Sequence, residues 1–420
     1  MDHKLDLVVF GATGFTGKRT IPYLHKLCEE DGRQLKWGIA GRSEEKLKRV
    51  LGEYAQKLGA DSLNSTPIII ADVADELSIL AMAQKTKIVL NCCGPYQLYG
   101  EVVVKCCAMT GTHYVDVTGE THFQDIMLSR YGNTAEEKGV YIVHGCGMDS
   151  MGVEMPMNFI TKSFQEIFMH RLEDQTGTGS ALNFGTWSSI VHALSDLKSV
   201  WASKRATSLP KMSPSCSLRF PFSRNASIGI PNKRILPFPS PDEDVIIRSQ
   251  SYFYENGGKR PIQVRHYLLL ESWKSILKLL FIGLIMIIFS QCSCGRKLLL
   301  KYPKVFSGGY FDHESPSEEV IENTTVCMYL YGKGWSDKKD IQFNQPPNKS
   351  ILGKIDIVNP AYGFTCLAVV LSAIIILTEP SKLPKKGGVY TPAVAFFHTS
   401  MVEALQKNGV PLEILSVNDL

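Results

Sequence analysis

The feature that most constrains this chain is a glycine-spaced turn that follows directly on an apolar run. Leu7-Val8-Val9-Phe10 leads into Gly11-Ala12-Thr13-Gly14-Phe15-Thr16-Gly17. Glycines at this spacing permit a tight turn, let the backbone come close to a bound group, and bring the following helix near the strand. The start of that helix then offers unpaired N–H groups and a partial positive charge. The spacing is GxxGxxG rather than GxGxxG, and it still fits a strand–turn–helix. It predicts a pyrophosphate cradle formed by Gly11, Thr13, Gly14, Phe15, Thr16 and Gly17, and with it a dinucleotide cofactor.

The turn heads a regular alternation. Runs rich in β-branched residues recur at 5–10, 35–40, 68–73, 88–94, 114–117 and 141–145, with helical spacing over 44–58 and 121–138. Strands alternating with helices argue for βαβ units and a parallel sheet covered on both faces. Ser43 before Glu44 and Glu45 is a good helix start, because the hydroxyl caps and the acids complement the dipole. Residues 1–150 are therefore read as a doubly wound, dinucleotide-binding α/β domain. Beyond Ser150 the rhythm changes. A second α/β domain is expected over 151–360, carrying a basic loop rich in proline and serine at 202–241. Strand-like runs at 262–272 and 341–357 fit it. Residues 361–420 form a C-terminal segment with an apolar helix over 364–377.

In open α/β sheets, ligands lie outside the carboxyl ends of the strands. At the end of the second strand stands Gly41-Arg42-Ser43. NAD enzymes place an acid there for the ribose hydroxyls, whereas a guanidinium suits a 2′-phosphate, so the cofactor reads as NADP and NAD fits less well. Ser43 adds a hydrogen bond, and Asp72 at the end of the third strand is placed by the adenine. The fourth strand ends Asn91-Cys92-Cys93-Gly94-Pro95-Tyr96. Asn91, Cys92, Gly94, Pro95 and Tyr96 are expected near the nicotinamide end, with Tyr96, Tyr99 and Gly100 in a following loop.

Composition narrows the alternatives. A net charge of +4 on 420 residues, with no basic stripe carrying interleaved aromatics, argues against a nucleic-acid partner. No apolar leader precedes the first strand, so the eleven cysteines are expected as reduced thiols. No CxxC spacing is present, and no metal site is expected.

The motifs VVFGATGFTG, AGR, VLNCCGPYQLYGE, YVDVTGE, GTW and GGVYTPAVAF occur in this order. Together they resemble the saccharopine dehydrogenase-like oxidoreductases of animals, through nearly the whole chain. The resemblance implies a Rossmann domain, an inserted second α/β domain, and a C-terminal helix that returns to the Rossmann domain. Saccharopine-forming enzymes need converging cations for a multiply carboxylated substrate. No such cluster stands outside the basic loop, so saccharopine dehydrogenase activity itself is not expected. Similar bacterial proteins include enoyl reductases acting in trans on glycolipid precursors, which points to a lipid-like enoyl or carbonyl substrate.

Hydride transfer asks the protein for positioning, an acid for the acceptor, and exclusion of water. No Tyr-x-x-x-Lys pair is suitably placed. Glu120, Asp149 and His192 are the candidate acids; Asp116 and His144 read as turn and strand residues. Gly177–Ser180 and Gly185-Thr186-Trp187 are candidates for a substrate wall.

Leu279–Phe289 is a run of eleven residues with no polar side chain. As a helix, residues 276–289 would reach about 21 Å, short of the roughly 30 Å hydrocarbon core. Lys274 and Lys278 before it, and Arg296 and Lys297 after it, flank the run equally, which suits a segment lying in one leaflet. Cys292 and Cys294 stand where acylation would add an anchor. The expected location is the cytoplasmic face of membranes or a lipid-droplet surface, in keeping with the resembled family; mitochondrial association and a homodimer are compatible with it. Two functions stay open at this level: an NADPH-dependent reductase of a lipidic substrate, and a catalytically silent, cofactor-binding scaffold or sensor at the same surface.

Overall fold

The computed structural model describes residues 5–28, 34–161, 166–176, 182–195, 233–238, 240–258, 260–335 and 346–420. Gly177–Ser180 and most of the basic loop (residues 202–232) lie outside the described residues. The chain divides into two compact units, Met1–Met151 with Ala361–Ala404, and Gly152–Pro360 with Leu405–Leu420.

The strands are β1 (Leu5–Phe10), β2 (Trp37–Gly41), β3 (Ile68–Ile70), β4 (Thr86–Asn91), β5 (His113–Asp116), β6 (Tyr141–Val143), β7 (Glu166–Thr176), β8 (Arg234–Pro237), β9 (Gln263–Leu270), β10 (Thr325–Trp335), β11 (Lys349–Val358), β12 (Gly388–Tyr390) and β13 (Leu412–Asp419). In the first unit, seven of them form a sheet in the order β12-β6-β5-β4-β1-β2-β3, parallel throughout. The chain leaves β1 toward β2 and β3, then crosses back to β4. This makes the β1–β4 boundary the switch point, where a crevice opens at the carboxyl ends. Both faces are covered, so the strands read as near-continuous apolar runs: Leu7, Val8, Val9, Ile88, Val89 and Leu90 are all fully buried.

Local chemistry sets the helices. Ser43 Oγ accepts from the Lys46 amide and starts helix Glu44–Leu58, which ends at Gly59 in the left-handed conformation (φ 64°). Leu47, Val50, Leu51 and Ala55 form its buried stripe. Strand β3 is shorter than the apolar run suggests. After Ala71 the Asp72 carboxylate accepts the Ala74 amide (3.1 Å), and the Asp72 amide donates to Ser78 Oγ (2.9 Å), which turns the chain. A second difference concerns 96–100. Tyr96, Tyr99 and Gly100 are not in a loop; helix Tyr96–Thr110 begins directly after the cis Gly94–Pro95 bond. Gly100 is needed there, since a Cβ would meet the Phe123 ring at 2.6 Å.

Helix Thr365–Thr378 lies in the first unit, against β4, β5 and helix Ile21–Leu27. It is buried all round, as an apolar helix without a polar face must be. Residues 361–420 are expected to pack back on the Rossmann domain; 361–404 belong to that unit, but the end of the chain, 405–420, belongs to the other. Strand β13 pairs antiparallel with β11 in the other sheet, where its backbone covers an otherwise open edge.

The second unit holds a six-stranded sheet ordered β13-β11-β10-β7-β9-β8. Its pairs are antiparallel except β7 with β9. A separate cluster is built on Trp187, whose ring packs with Val191, Met286, Leu299 and Phe311. Its indole N–H donates to Leu299 O (2.9 Å). Trp187 is thus a core anchor on helix Phe184–Ser195, not part of a substrate wall, while Gly185 and Thr186 beside it are exposed. The apolar run extends beyond 276–289 to a helix over Trp273–Ser290, with Ser272 as its cap.

The two apolar helices predict opposite mutational costs. Ile374 is 1% exposed and Leu284 56%. Ile374→Ala should cost about 2–5 kcal/mol in urea unfolding, and Leu284→Ala within about 0.5 kcal/mol. Equal costs would refute the burial assignment.

Candidate functional site

The cradle is assembled by backbone contacts. Gly11 has φ 82°, and its amide and that of Ala12 both donate to Ala40 O at the end of β2 (3.0 and 3.3 Å). The Gly14 amide turns back onto Gly11 O (2.9 Å) and Lys18 continues the helix onto Gly14 O (3.0 Å). Among the described residues, no carbonyl accepts from the amides of Phe15, Thr16 or Gly17, the first three of the helix. These are the orphan donors of a helix start, and here they face an exposed Thr13-Gly14 rim. The glycines are sterically obligatory. A Cβ on Gly17 would lie 2.3 Å from Gly11 O, and one on Gly11 would lie 3.1 Å from the Cys92 carbonyl carbon. A cradle with open amides and no room for side chains fits a pyrophosphate.

Other segments of the first unit hold the turn in place. Phe15 packs edge-on to Tyr362 (4.7 Å between centroids) and carries the Arg19 guanidinium on its face (3.7 Å). The Cys366 thiol donates to Thr16 O (3.5 Å). Phe15 and Thr16 therefore contribute backbone to the cradle, and the Phe15 ring is a packing element. Helix Phe15–Arg19 ends at Thr20 because Pro22 has no amide to give Lys18 O.

Arg42 is exposed at the carboxyl end of β2 and forms no salt bridge among the described residues. Its charge and that of Asp72 both reach the Cys93 thiol, which burial pushes up, Arg42 lowers and Asp72 raises. The ends of β2, β3 and β4 thus form one rim, with a free guanidinium suited to a phosphate. Ser43 caps its helix through the hydroxyl oxygen and keeps a proton to donate. Asp72 is engaged in the turn described above.

Behind the rim, the fourth-strand residues take roles the sequence did not reveal. Asn91 is fully buried; its Nδ2 donates to Tyr114 Oη (3.0 Å) and its Oδ1 accepts the Cys93 amide (2.9 Å). Tyr96 is 6% exposed and donates its hydroxyl to Asn91 O (3.0 Å). Neither side chain is left to touch a ligand, which corrects both expectations. The Cys92 amide donates to Phe10 O (2.9 Å), and burial pushes its thiol well above the usual range. Gly94 is exposed and Pro95 half-buried on the same rim.

Asn91 belongs to a buried network across the strand ends. Tyr114 Oη donates to Asp116 Oδ2 (2.9 Å), His144 Nδ1 lies 2.7 Å from the same oxygen, and Asp116 Oδ1 accepts the Thr118 and Gly145 amides (3.1 and 3.0 Å). Burial and the Asp116 charge raise the Tyr114 hydroxyl well above its usual value. One carboxylate thereby ties β4, β5 and β6 together at the crevice.

The candidate acids separate. Glu120 is 5% exposed, and its two carboxylate oxygens accept the Tyr96 and Gln97 amides (3.0 and 2.8 Å). It caps helix Tyr96–Thr110, which corrects its reading as a proton donor. Asp149 is exposed on the loop after β6, its carboxylate within 3.2 Å of where a Gly119 Cβ would stand. His192 lies half-buried on helix Phe184–Ser195 of the second unit. No group of three or more metal-ligating side chains occurs among the described residues. A prediction follows from the cradle: Gly17→Ala should weaken NADPH binding by at least about tenfold, measured by fluorescence titration. Unchanged affinity would show that the turn does not hold the cofactor.

Comparison with known proteins agrees with this geometry. Residues 7–143 match the family model described as saccharopine dehydrogenase NADP binding domain. A saccharopine dehydrogenase-like oxidoreductase of Mus musculus is 35% identical over 99% of this chain and 98% of its own length. A lipid droplet localized protein of Caenorhabditis elegans is 32% identical over 99% of this chain and 100% of its own. A trans-acting enoyl reductase of Mycobacterium bovis is 34% identical over 42% of this chain and 38% of its own. The chain belongs to the saccharopine dehydrogenase-like oxidoreductases, and residues 7–143 of its parallel-sheet unit are their NADP-binding domain.

Proposed function

We propose that this oxidoreductase reduces a lipid-like enoyl or carbonyl substrate with NADPH while docked on a lipid surface. The observation that carries the proposal is the union, in one chain, of the open cradle with an exposed apolar helix face. In helix Trp273–Ser290, Trp273, Leu277, Leu280, Phe281, Leu284, Ile287 and Ile288 are exposed at helical spacing, with Leu277 at 65% and Phe281 at 64%. The opposite side, through Met286 and Phe289, packs with the Trp187 cluster. Leu298, Tyr302 and Val305 continue the apolar surface, and Lys274, Lys297, Lys301 and Lys304 are exposed around it. A helix of 18 residues reaches about 27 Å. With one side committed to protein, it suits lying in one leaflet, cations toward anionic headgroups. Two relatives support the lipid reading, one named for lipid droplets and one for enoyl reduction.

Within this reading each residue has a limited task. The amides of Phe15, Thr16 and Gly17 receive the pyrophosphate, with Gly11 and Gly14 giving clearance. Arg42, with Ser43 beside it, receives the 2′-phosphate and so favours NADPH over the cofactor that lacks it. Gly94 and Pro95 offer a backbone rim to the nicotinamide end. The cofactor, when bound, supplies the hydride. Asp149, a carboxylate exposed at the carboxyl side of the sheet, is the candidate to hold the proton for the acceptor.

Arg42→Ala should weaken NADPH about 10- to 100-fold in titration, the range expected for a charge-assisted phosphate contact, and leave NADH unchanged. Equal loss for both cofactors would overturn the 2′-phosphate assignment. NADPH consumption is then followed at 340 nm on a panel of long-chain enones and aldehydes presented in liposomes. Binding without turnover across the panel would favour a cofactor-binding scaffold. For the surface, a variant with Phe281, Leu284 and Ile288 changed to Ser should no longer float with anionic vesicles; normal flotation would refute the docking face.

A further inference from the structure

We propose that Cys292 and Cys294 form an S-acylation site that takes a long-chain fatty acyl group from an acyl thioester. This inference rests on the lipid-surface reading of helix Trp273–Ser290. Among the described cysteines, these two are exposed, whereas Cys28, Cys106, Cys107, Cys146 and Cys366 are buried and Cys92, Cys93 and Cys327 half-buried. Cys292 caps helix Ser293–Lys301 just after helix Trp273–Ser290, and Cys294 lies in the first turn of that second helix. Exposed Ile287 and Ile288 precede the pair, and exposed Lys297 and Leu298 follow it. The thiols therefore stand at the border between an apolar face and a cationic rim. In a docked protein that border lies at the level of the headgroups, where acyl thioesters partition.

Local geometry activates one thiol. Cys292 Sγ caps the second helix by accepting the Gly295 amide (3.3 Å), and Cys294 Sγ lies 3.3 Å away. Arg296 is pinned at the same turn by donating to Ser290 O (2.9 Å). The Cys294 thiol, the Gly295 amide and the Arg296 charge all lower the Cys292 thiol from its ordinary value. Burial instead raises the Cys366 thiol to about 12 and Cys107 well above its usual value, which leaves them protonated and inert. Chemical selectivity and placement thus coincide at Cys292, with Cys294 as its neighbour.

The step is a thioester exchange without redox change. The Cys292 thiolate attacks the acyl carbonyl carbon, a new C–S bond forms, and the donor's C–S bond breaks. The donor leaves as a thiolate and takes up the proton that Cys292 released. A single apolar signal gives reversible surface binding, and a second makes it stable; the acyl chain would be the second signal beside the helix face.

The test uses the full chain expressed in animal cells fed an alkyne-tagged long-chain fatty acid. Tag incorporation is read with and without hydroxylamine, and flotation with anionic vesicles is read in parallel. Cys292→Ser/Cys294→Ser keeps a competent helix cap, so the fold is retained. The expected result is hydroxylamine-labile label on the wild type, at least tenfold less on the double Ser variant, and weaker flotation of that variant. Label that persists on the variant overturns the assignment, as does a wild type that floats without label; the docking face would survive that second result. A wild type that neither floats nor carries label overturns both.

Discussion

The nucleotide unit depends on a backbone-to-backbone contact at the switch point of its sheet. Gly11 in its positive-φ conformation lies against the Cys92-Cys93 backbone, and Gly17 lies against the Gly11 carbonyl. With no side chain between them, strand, turn and helix approach closely enough to leave the first helical amides unpaired beside the crevice. Any Cβ at Gly17 would push the helix away from the Gly11 carbonyl. The rest of the unit reinforces this contact, from Ala40 O beneath the turn to Cys366 on the buried helix behind it.

Carboxylates near the crevice are divided between construction and solvent. Asp116 binds Tyr114, His144 and two amides in a fully buried network, and Glu120 satisfies two amides at the start of a helix. Removing either carboxylate would leave buried donors unpaired, a cost that makes them structural. Asp149 alone of the three carboxylates Asp116, Glu120 and Asp149 faces solvent. In the sequence the three look equally acidic; the division between them comes from burial.

The two apolar helices show how little composition decides. The helical run Pro360–Thr378, which contains helix Thr365–Thr378, and helix Trp273–Ser290 are both long and apolar enough to cross a membrane by length and composition. The first is enclosed by strands and helices of the nucleotide unit, the second exposes a whole stripe beside lysines. Enclosure makes the one a core element; exposure leaves the other an apolar stripe on the surface.

Sequence by itself determined the parts governed by neighbours along the chain. Glycine spacing specified the turn, Ser43 and its acids specified a helix start, and apolar runs specified the parallel strands, since each depends on local sterics, capping or burial on both faces. Arg42 was legible because its place follows from the end of a strand. Only the tertiary structure decided what depends on partners distant in sequence. Tyr362 and Cys366 support a turn some 350 positions away. Asn91 and Tyr96 turned inward because Tyr114 and the Asn91 carbonyl offered buried partners, and Glu120 became a cap because helix Tyr96–Thr110 presents its amides there. Polar side chains at a crevice carry no mark of whether they will face the ligand or the fold; that choice is made by which donors and acceptors folding leaves within reach.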